Sequence, residues 1–223
     1  MDLRTFLDER EILDLFEEAD QLTLASARVW KSVTRSSSTG VSVEVEGTSV
    51  SGSGTVPKAI RARGFLRTTR SARDFCNLVN PSDLEGRKIW DDGIKEYESR
   101  TLQPEGFLVY TSSKAALGGL ISSRDFVSVS LTRVLRGGLC VVSVDVSDKV
   151  PDLYPTRGSY VRGACVISAF HVAPGEEGGQ QGLHVTHAAR TDLRGWLSQS
   201  LILQGTADAE IAFFRKWQSW ATT

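Results

Sequence analysis

The sequence of 223 residues has little cysteine and no excess of charge of either sign. Its formal net charge is −1, whereas phosphate binding needs a concentrated excess of lysine and arginine, so nucleic acid is excluded as the main partner. The three cysteines, Cys76, Cys140 and Cys165, are widely spaced and lie outside any CxxC pattern. They predict reduced, buried thiols and a cytoplasmic location.

The sequence also lacks long apolar runs and the common catalytic motifs. No stretch approaches the roughly 18 apolar residues of a membrane-spanning helix, and no phosphate loop, GxSxG elbow or HExxH helix is present. His184 and His187 are three residues apart on a predicted strand, so they point to opposite faces and cannot share a metal ion. The sequence therefore predicts no metal, no cofactor and no catalytic residue.

The periodicity that is present predicts helices at both ends of the chain. Apolar residues between positions 12 and 22 recur at helical spacing, and the same spacing predicts a long helix at Ser198–Trp220. Two short helices are predicted at Ser71–Val79 and Ser82–Trp90. The remaining segments alternate as strands do. The predicted strands are Trp30–Thr34, Val41–Val45, Ala59–Leu66, Ile94–Leu102, Phe107–Thr111, Phe126–Val134, Leu139–Val146, Tyr160–Phe170 and Leu183–Thr191.

The order of these elements predicts one α+β domain over residues 1–223. Consecutive strands joined by short turns pair in antiparallel fashion, since parallel pairs need long crossovers. One long helix is left outside the curved sheet of nine strands. That helix must bury its apolar face against the concave side of the sheet. We expect a cavity between the helix and the sheet.

Four motifs in the sequence resemble those of a known protein family. They are Trp90-Asp91, Arg124–Val129, Tyr160–Gly163 and Thr191–Leu197. In order and spacing they resemble the START (StAR-related lipid-transfer) domain over residues 10 to 220. The resemblance implies the helix-grip fold, in which a curved antiparallel sheet surrounds a long C-terminal helix and encloses a hydrophobic tunnel. It also implies a monomer that carries one lipid, touches membranes transiently, and is gated by the last helix and the Lys114–Ser123 loop.

Departures from the family pattern bear on the ligand. Relatives of the steroidogenic acute regulatory type hold a buried acid and a buried arginine in the tunnel, and the aligned positions here are Ala115 and Ser130. We therefore expect an apolar ligand with at most a small neutral head, such as a sterol hydroxyl. Arg162 either forms a salt bridge at the tunnel floor or pairs with a lipid phosphate, and we favour the salt bridge.

The candidate ligand-binding residues follow from the resemblance and from the predicted faces of strands and helix. They are Tyr110, Ala115, Phe126, Ser128, Ser130, Arg162, Thr186, Ala188, Ile202, Thr206, Ala209 and Phe213. A strand register wrong by one residue would turn its side chains to the opposite face.

These residues predict a non-enzymatic carrier of one apolar lipid, with a sterol as the favoured ligand. A phospholipid carrier is the first alternative. The second is an enzyme of the cyclase/aromatase branch of the helix-grip superfamily, which would need an inward His, Asp or Glu; the sequence shows no compelling candidate. A ligand-sensing module is the third.

Overall fold

The computed structural model describes residues 1–24, 28–47, 58–116, 119, 121–195 and 199–223. Four α-helices and ten strands are assigned within these ranges. The helices are α1 (Glu9–Thr23), α2 (Ala72–Val79), α3 (Leu84–Lys88) and α4 (Gln199–Thr222). The strands are β1 (Trp30–Arg35), β2 (Ser42–Glu46), β3 (Ile60–Arg67), β4 (Ile94–Thr101), β5 (Phe107–Ser113), β6 (Arg124–Leu135), β7 (Gly138–Asp145), β8 (Val161–Arg162), β9 (Ala164–Glu177) and β10 (Gln180–Asp192).

The strands form one sheet whose path runs β1-β2-β3-β10-β9-β7-β6-β5-β4. Every neighbouring pair on this path is antiparallel, while β8 lies off the path and pairs with β6 in parallel. The predicted α+β architecture, an antiparallel sheet with a long C-terminal helix, is confirmed. Among the described helices, none combines the length and apolar character needed to cross a membrane.

The sheet separates two hydrophobic cores. The outer face is the one covered by α1, whose Ile12, Phe16 and Leu22 are buried in the same cluster as Val129 of β6. The helix begins at a capping box, since the Asp8 side chain accepts from the Glu11 backbone and the Glu11 side chain accepts from the Asp8 backbone. The inner face is the one covered by α2 and α4, which share the second cluster.

Helix α4 is held on the inner face by a cluster of aromatic rings. The Trp217 ring is fully buried and lies 5.3 Å from Phe75, 5.9 Å from Phe170 and 4.7 Å from Phe214, between ring centroids. A Cβ atom added at Gly64 of β3 would lie 2.7 Å from the Phe214 ring. The helix and the strand therefore approach more closely than a side chain at that position would permit.

The predicted strand Tyr160–Phe170 is broken in the structure. β8 pairs with the start of β6, with Val161 beside Arg124 and Arg162 beside Asp125, whereas β9 begins at Ala164 and pairs with β7 and β10. The break falls at Gly163, where the Phe126 ring occupies the space that a side chain would fill. The prediction of a single continuous strand was wrong. The contact between Gly163 and Phe126 that breaks it joins two distant segments and leaves no pattern in the local sequence.

The predicted face of β10 is wrong by one residue. Leu183 and Val185 lie in the inner cluster, whereas Ala188 is buried in the outer cluster with the residues of α1. Thr186 follows Val185 and shares the outer face with Ala188, because successive side chains on a strand alternate. The strand carries apolar residues on both faces, so alternation alone did not decide which face was inward.

Candidate functional site

A cavity of about 530 Å³ lies beside α4, between the helix and the sheet. Its size falls within the roughly 300–1,000 Å³ typical of small-molecule sites. It is bounded by α4, by the start of β4 and β6, and by the segment that follows β5. The residues that line it are Asp91, Gly93, Ile94, Ser113, Lys114, Ala115, Ala116, Ile121, Arg124, Phe126, Leu193, Ile202, Gly205, Thr206, Ala209, Glu210 and Phe213.

Many of the predicted ligand-binding residues come together around this cavity. The wall includes Ala115, Phe126, Ile202, Thr206, Ala209 and Phe213. Four of these lie on the predicted face of α4, and Phe126 lies on the predicted face of β6. The loop and the helix that were predicted to act as the gate therefore border the same space. Gly118 of that loop, and Trp196 of the motif before α4, lie outside the described residues.

Ser128 and Ser130 lie further along the same face of β6 as Phe126, away from this cavity wall. Ser130 is buried, and its Oγ accepts from the Asn80 side-chain amide at 3.2 Å and from the Ser143 hydroxyl at 3.0 Å. Its hydrogen bonds join β6, β7 and the end of α2. The structure thus shows Ser130 engaged with protein groups.

Tyr110 lies on the outer face of the sheet, away from the cavity. It pairs with Val127 across β5 and β6, and both belong to the outer core. The Tyr110 ring stacks on Tyr154 with centroids 5.1 Å apart, and burial raises the pKa of its phenol to about 12. Tyr110, Thr186 and Ala188 were predicted to contact the ligand, and all three lie on the outer face of the sheet, away from the cavity.

Arg162 is bound to Asp125. Its Nε and one terminal nitrogen lie 2.9 and 2.8 Å from the two carboxylate oxygens, and the same terminal nitrogen donates to the Tyr154 carbonyl at 3.1 Å. The Arg162 side chain is 9% exposed and that of Asp125 is fully buried. Of the two roles considered for Arg162, this geometry is that of the salt bridge.

Arg124 stands at the edge of the cavity and joins two chain segments. Its guanidinium donates to the Leu193 carbonyl at 3.2 Å, the Arg194 carbonyl at 3.3 Å and the Ser122 carbonyl. The loop before β6 is thereby attached to the segment that leads into α4. Glycine supports the turn in that segment, since Gly195 has a φ of +82°.

A hydrogen-bonded network of three polar side chains joins the inner face of the sheet to α4. His187 of β10 has its Nδ1 at 2.9 Å from both carboxylate oxygens of Glu210, and its Nε2 lies 3.1 Å from the Ser168 hydroxyl on β9. The imidazole stacks on Phe170 with centroids 4.0 Å apart and planes 7° apart. Glu210 is 4% exposed and is part of the cavity wall.

This network was not predicted from the sequence, although the residue patterns around His187 and around Glu210 each indicated an inward side chain. Leu183, Val185 and His187 alternate along β10, so the apolar members of the series mark the histidine as inward. On α4, Glu210 follows Thr206 by four residues and precedes Trp217 by seven, so it shares their face. An acid among apolar residues at helical spacing is the pattern that identifies it. The sequence showed no compelling inward His, Asp or Glu, whereas the structure places His187 and Glu210 together between the sheet and α4.

Comparison with known proteins places this site in a recognised architecture. A sequence model described as the START domain matches residues 22–220. Human StAR-related lipid transfer protein 5 superposes with a TM-score of 0.78 at 22% identity over 94% of each chain. Human STARD10 gives 0.72 at 17% identity over 95% of this chain and 80% of its own.

A bacterial structure shares the same fold. The STAR-related lipid transfer protein from Xanthomonas axonopodis gives a TM-score of 0.65 at 16% identity, over 87% of this chain and 99% of its own. No curated protein matches the chain by sequence. These likenesses confirm the helix-grip fold.

Proposed function

The chain belongs to the START domain family, and on that premise we propose that it is a non-enzymatic carrier of one apolar lipid. The observation that carries this proposal is the cavity of about 530 Å³ beside α4, whose wall is mainly aliphatic and aromatic. Removing apolar surface from water contributes about 25 cal/mol per Å², so such a wall supplies most of the affinity for a lipid without a charged group. A few polar groups then orient the head.

A sterol is the ligand class that the charges of the site favour over a phospholipid. A phosphate needs a cationic partner, and arginine is suited to bind it in bidentate fashion. Arg162 is bound to Asp125, and Arg124 donates to backbone carbonyls. Lys114 donates to the Asp92 carbonyl at 2.8 Å. Each of these cations therefore already donates to a protein group, and a neutral head does not require those hydrogen bonds to be exchanged.

We propose that the cavity widens when a lipid is loaded. The wall combines α4 with Ala115, Ala116 and Ile121 of the loop before β6, so we propose that one of these two segments moves while the chain contacts a membrane surface. Lid motions of this kind set the rate of many ligand exchanges. We also propose that the carrier acts as a monomer, since a single chain supplies all the residues that line the cavity.

The experiment is the transfer of a fluorescent sterol from donor to acceptor liposomes. The proposal predicts that catalytic amounts of the protein accelerate transfer well above the spontaneous rate, with heat-denatured protein as the control. A panel that also contains phosphatidylcholine, ceramide and fatty acids distinguishes the ligand classes. Absence of binding and transfer for the whole panel would contradict the carrier function, and transfer of phosphatidylcholine in preference to sterol would contradict the ligand class.

A further inference from the structure

Glu210 is a buried carboxylate in a mainly apolar cavity wall. Among the described residues its hydrogen-bond partner is His187, whose single Nδ1 lies 2.9 Å from both oxygens. An ionised carboxylate has about four lone-pair sites, and the imidazole fills one of them. The carboxylate therefore keeps acceptor capacity beyond its contact with His187, and Glu210 is one of the residues that line the cavity.

The apolar surroundings of Glu210 and His187 make a buried charge at this position costly in free energy. On the sheet, His187 has Ala62 and Phe170 beside it on the neighbouring strands, and Phe214 and Trp217 flank Glu210 on α4 within the same apolar cluster. The other charged side chains of the cavity wall are Asp91, Lys114 and Arg124, and none of them lies on α4 or β10. A carboxylate desolvated in this way is stabilised by each further hydrogen bond that it accepts.

The three side chains have the order of a hydrolytic triad, yet the sheet does not support that chemistry. Ser168 lies in a strand that is paired on both sides, opposite Ser143 and Ala189. The backbone N–H groups beside it are taken up by the ladder, whereas an acyl transfer needs free donors to stabilise the oxyanion. Ser168 and His187 instead fix the orientation of the carboxylate, because each end of the imidazole has a partner.

We propose that Glu210 is the recognition group for the polar end of the ligand, accepting a hydrogen bond from a lipid hydroxyl. The inference rests on the proposed carrier function and assigns the ligand class more narrowly, to neutral lipids that carry a hydroxyl donor. His187 and Ser168 are positioning residues for this carboxylate. Lipids that offer only acceptors, such as sterol ketones, lack the matching group, and anionic heads are repelled by the carboxylate.

The test compares the affinities of wild-type protein for cholesterol and for its analogue without the 3-hydroxyl. One hydrogen bond to a charged group predicts a preference for the hydroxyl-bearing sterol of about ten- to a hundredfold. In Glu210→Met the preference should fall close to one, because neither sterol then meets a carboxylate. Glu210→Gln keeps an uncharged acceptor and should retain a smaller preference.

The control is Asp208→Asn, which removes a negative charge from the exposed side of the same helix and should leave the preference at its wild-type value. If the wild type binds cholesterol and the deoxy sterol with equal affinity, the inference is overturned without any variant. It is also overturned if folded Glu210→Met keeps the wild-type preference for cholesterol. Hydrolysis of a lipid ester that is lost in Ser168→Ala would also overturn it. Failure of the wild type to bind either sterol, or any other lipid, would instead count against the carrier function itself.

Discussion

The guanidinium of Arg162 engages both carboxylate oxygens of Asp125, at 2.9 and 2.8 Å, where β8 pairs with the start of β6. The Asp125 side chain is fully buried, so Arg162 is its neutralising partner. Removal of one member of such a pair leaves an uncompensated buried charge, which is the main cost of breaking it. This pairing indicates that Arg162 has a structural role and does not recognise the ligand.

Arg162→Ala should lower the free energy of unfolding by about 3–5 kcal/mol. The double variant Arg162→Met with Asp125→Leu should recover much of the loss, because it removes both charges and keeps the volume. Urea denaturation checks both values. In whichever variant stays folded, the ratio of sterol to phosphatidylcholine binding should match the wild type. A wild-type preference for phosphatidylcholine that disappears in a folded Arg162→Ala would show that this arginine binds phosphate.

Gly205 offers a way to fill the cavity without disturbing the fold. It lies within α4 and lines the cavity, and a Cβ atom added there would meet no atom within 4 Å. Gly205→Ala should raise the free energy of unfolding by about 0.5–1 kcal/mol, because glycine within a helix carries an entropic cost of that size. Gly205→Phe should remain folded and lose most of its lipid binding, as measured by liposome extraction.

The control for this prediction places the same ring at an exposed position of the helix that does not line the cavity. Gln204 is the preceding residue and is exposed, so Gln204→Phe should bind lipid as the wild type does. Equal binding by Gly205→Phe and Gln204→Phe would show that the ligand lies elsewhere.

Cys140 predicts a loss of stability at alkaline pH. The thiol is fully buried, and burial raises its pKa from the usual 9.0 to about 12. The unfolded chain therefore releases this proton first, so its contribution to stability is complete below about pH 9 and is lost as the pH rises towards 12. Urea denaturation at pH 7.5 and pH 10.5 should show a drop in the free energy of unfolding that is smaller in Cys140→Ala.

The alanine variant will be less stable than the wild type at both pH values because it loses buried volume. Only the difference between the two pH values therefore tests the prediction. An identical pH-dependent drop in both proteins would assign the alkaline loss to other groups, such as Tyr110 and Tyr154, whose pKa values burial also raises to about 12.

The helices were predictable because their signal is local. The buried residues of α1 and the cavity side of α4 recur at three- and four-residue spacing, and polar residues fill the other face. The antiparallel order followed from short connections between strands. The break at Gly163 was not predictable in this way, since it depends on Phe126, a residue of another strand.

The candidate site was predictable where the face of an element was unambiguous. Helix α4 has one apolar side, so Ile202 and Phe213 were placed correctly on the cavity wall. On β10 both faces are buried, so Thr186 and Ala188 were assigned to the wrong side. That error also removed His187 from consideration. The interaction of His187 with Glu210 joins residues 23 positions apart, and such long-range contacts leave no pattern in a local window.

The most direct test of the carrier function is native mass spectrometry of the protein recovered from sterol-containing liposomes. We expect one added mass per chain, equal to that of the sterol, together with a monomeric protein. The added mass should be missing from Gly205→Phe and present in Gln204→Phe. A spectrum that shows only the unliganded wild-type chain after incubation with sterols, phospholipids, ceramides and fatty acids would contradict the account.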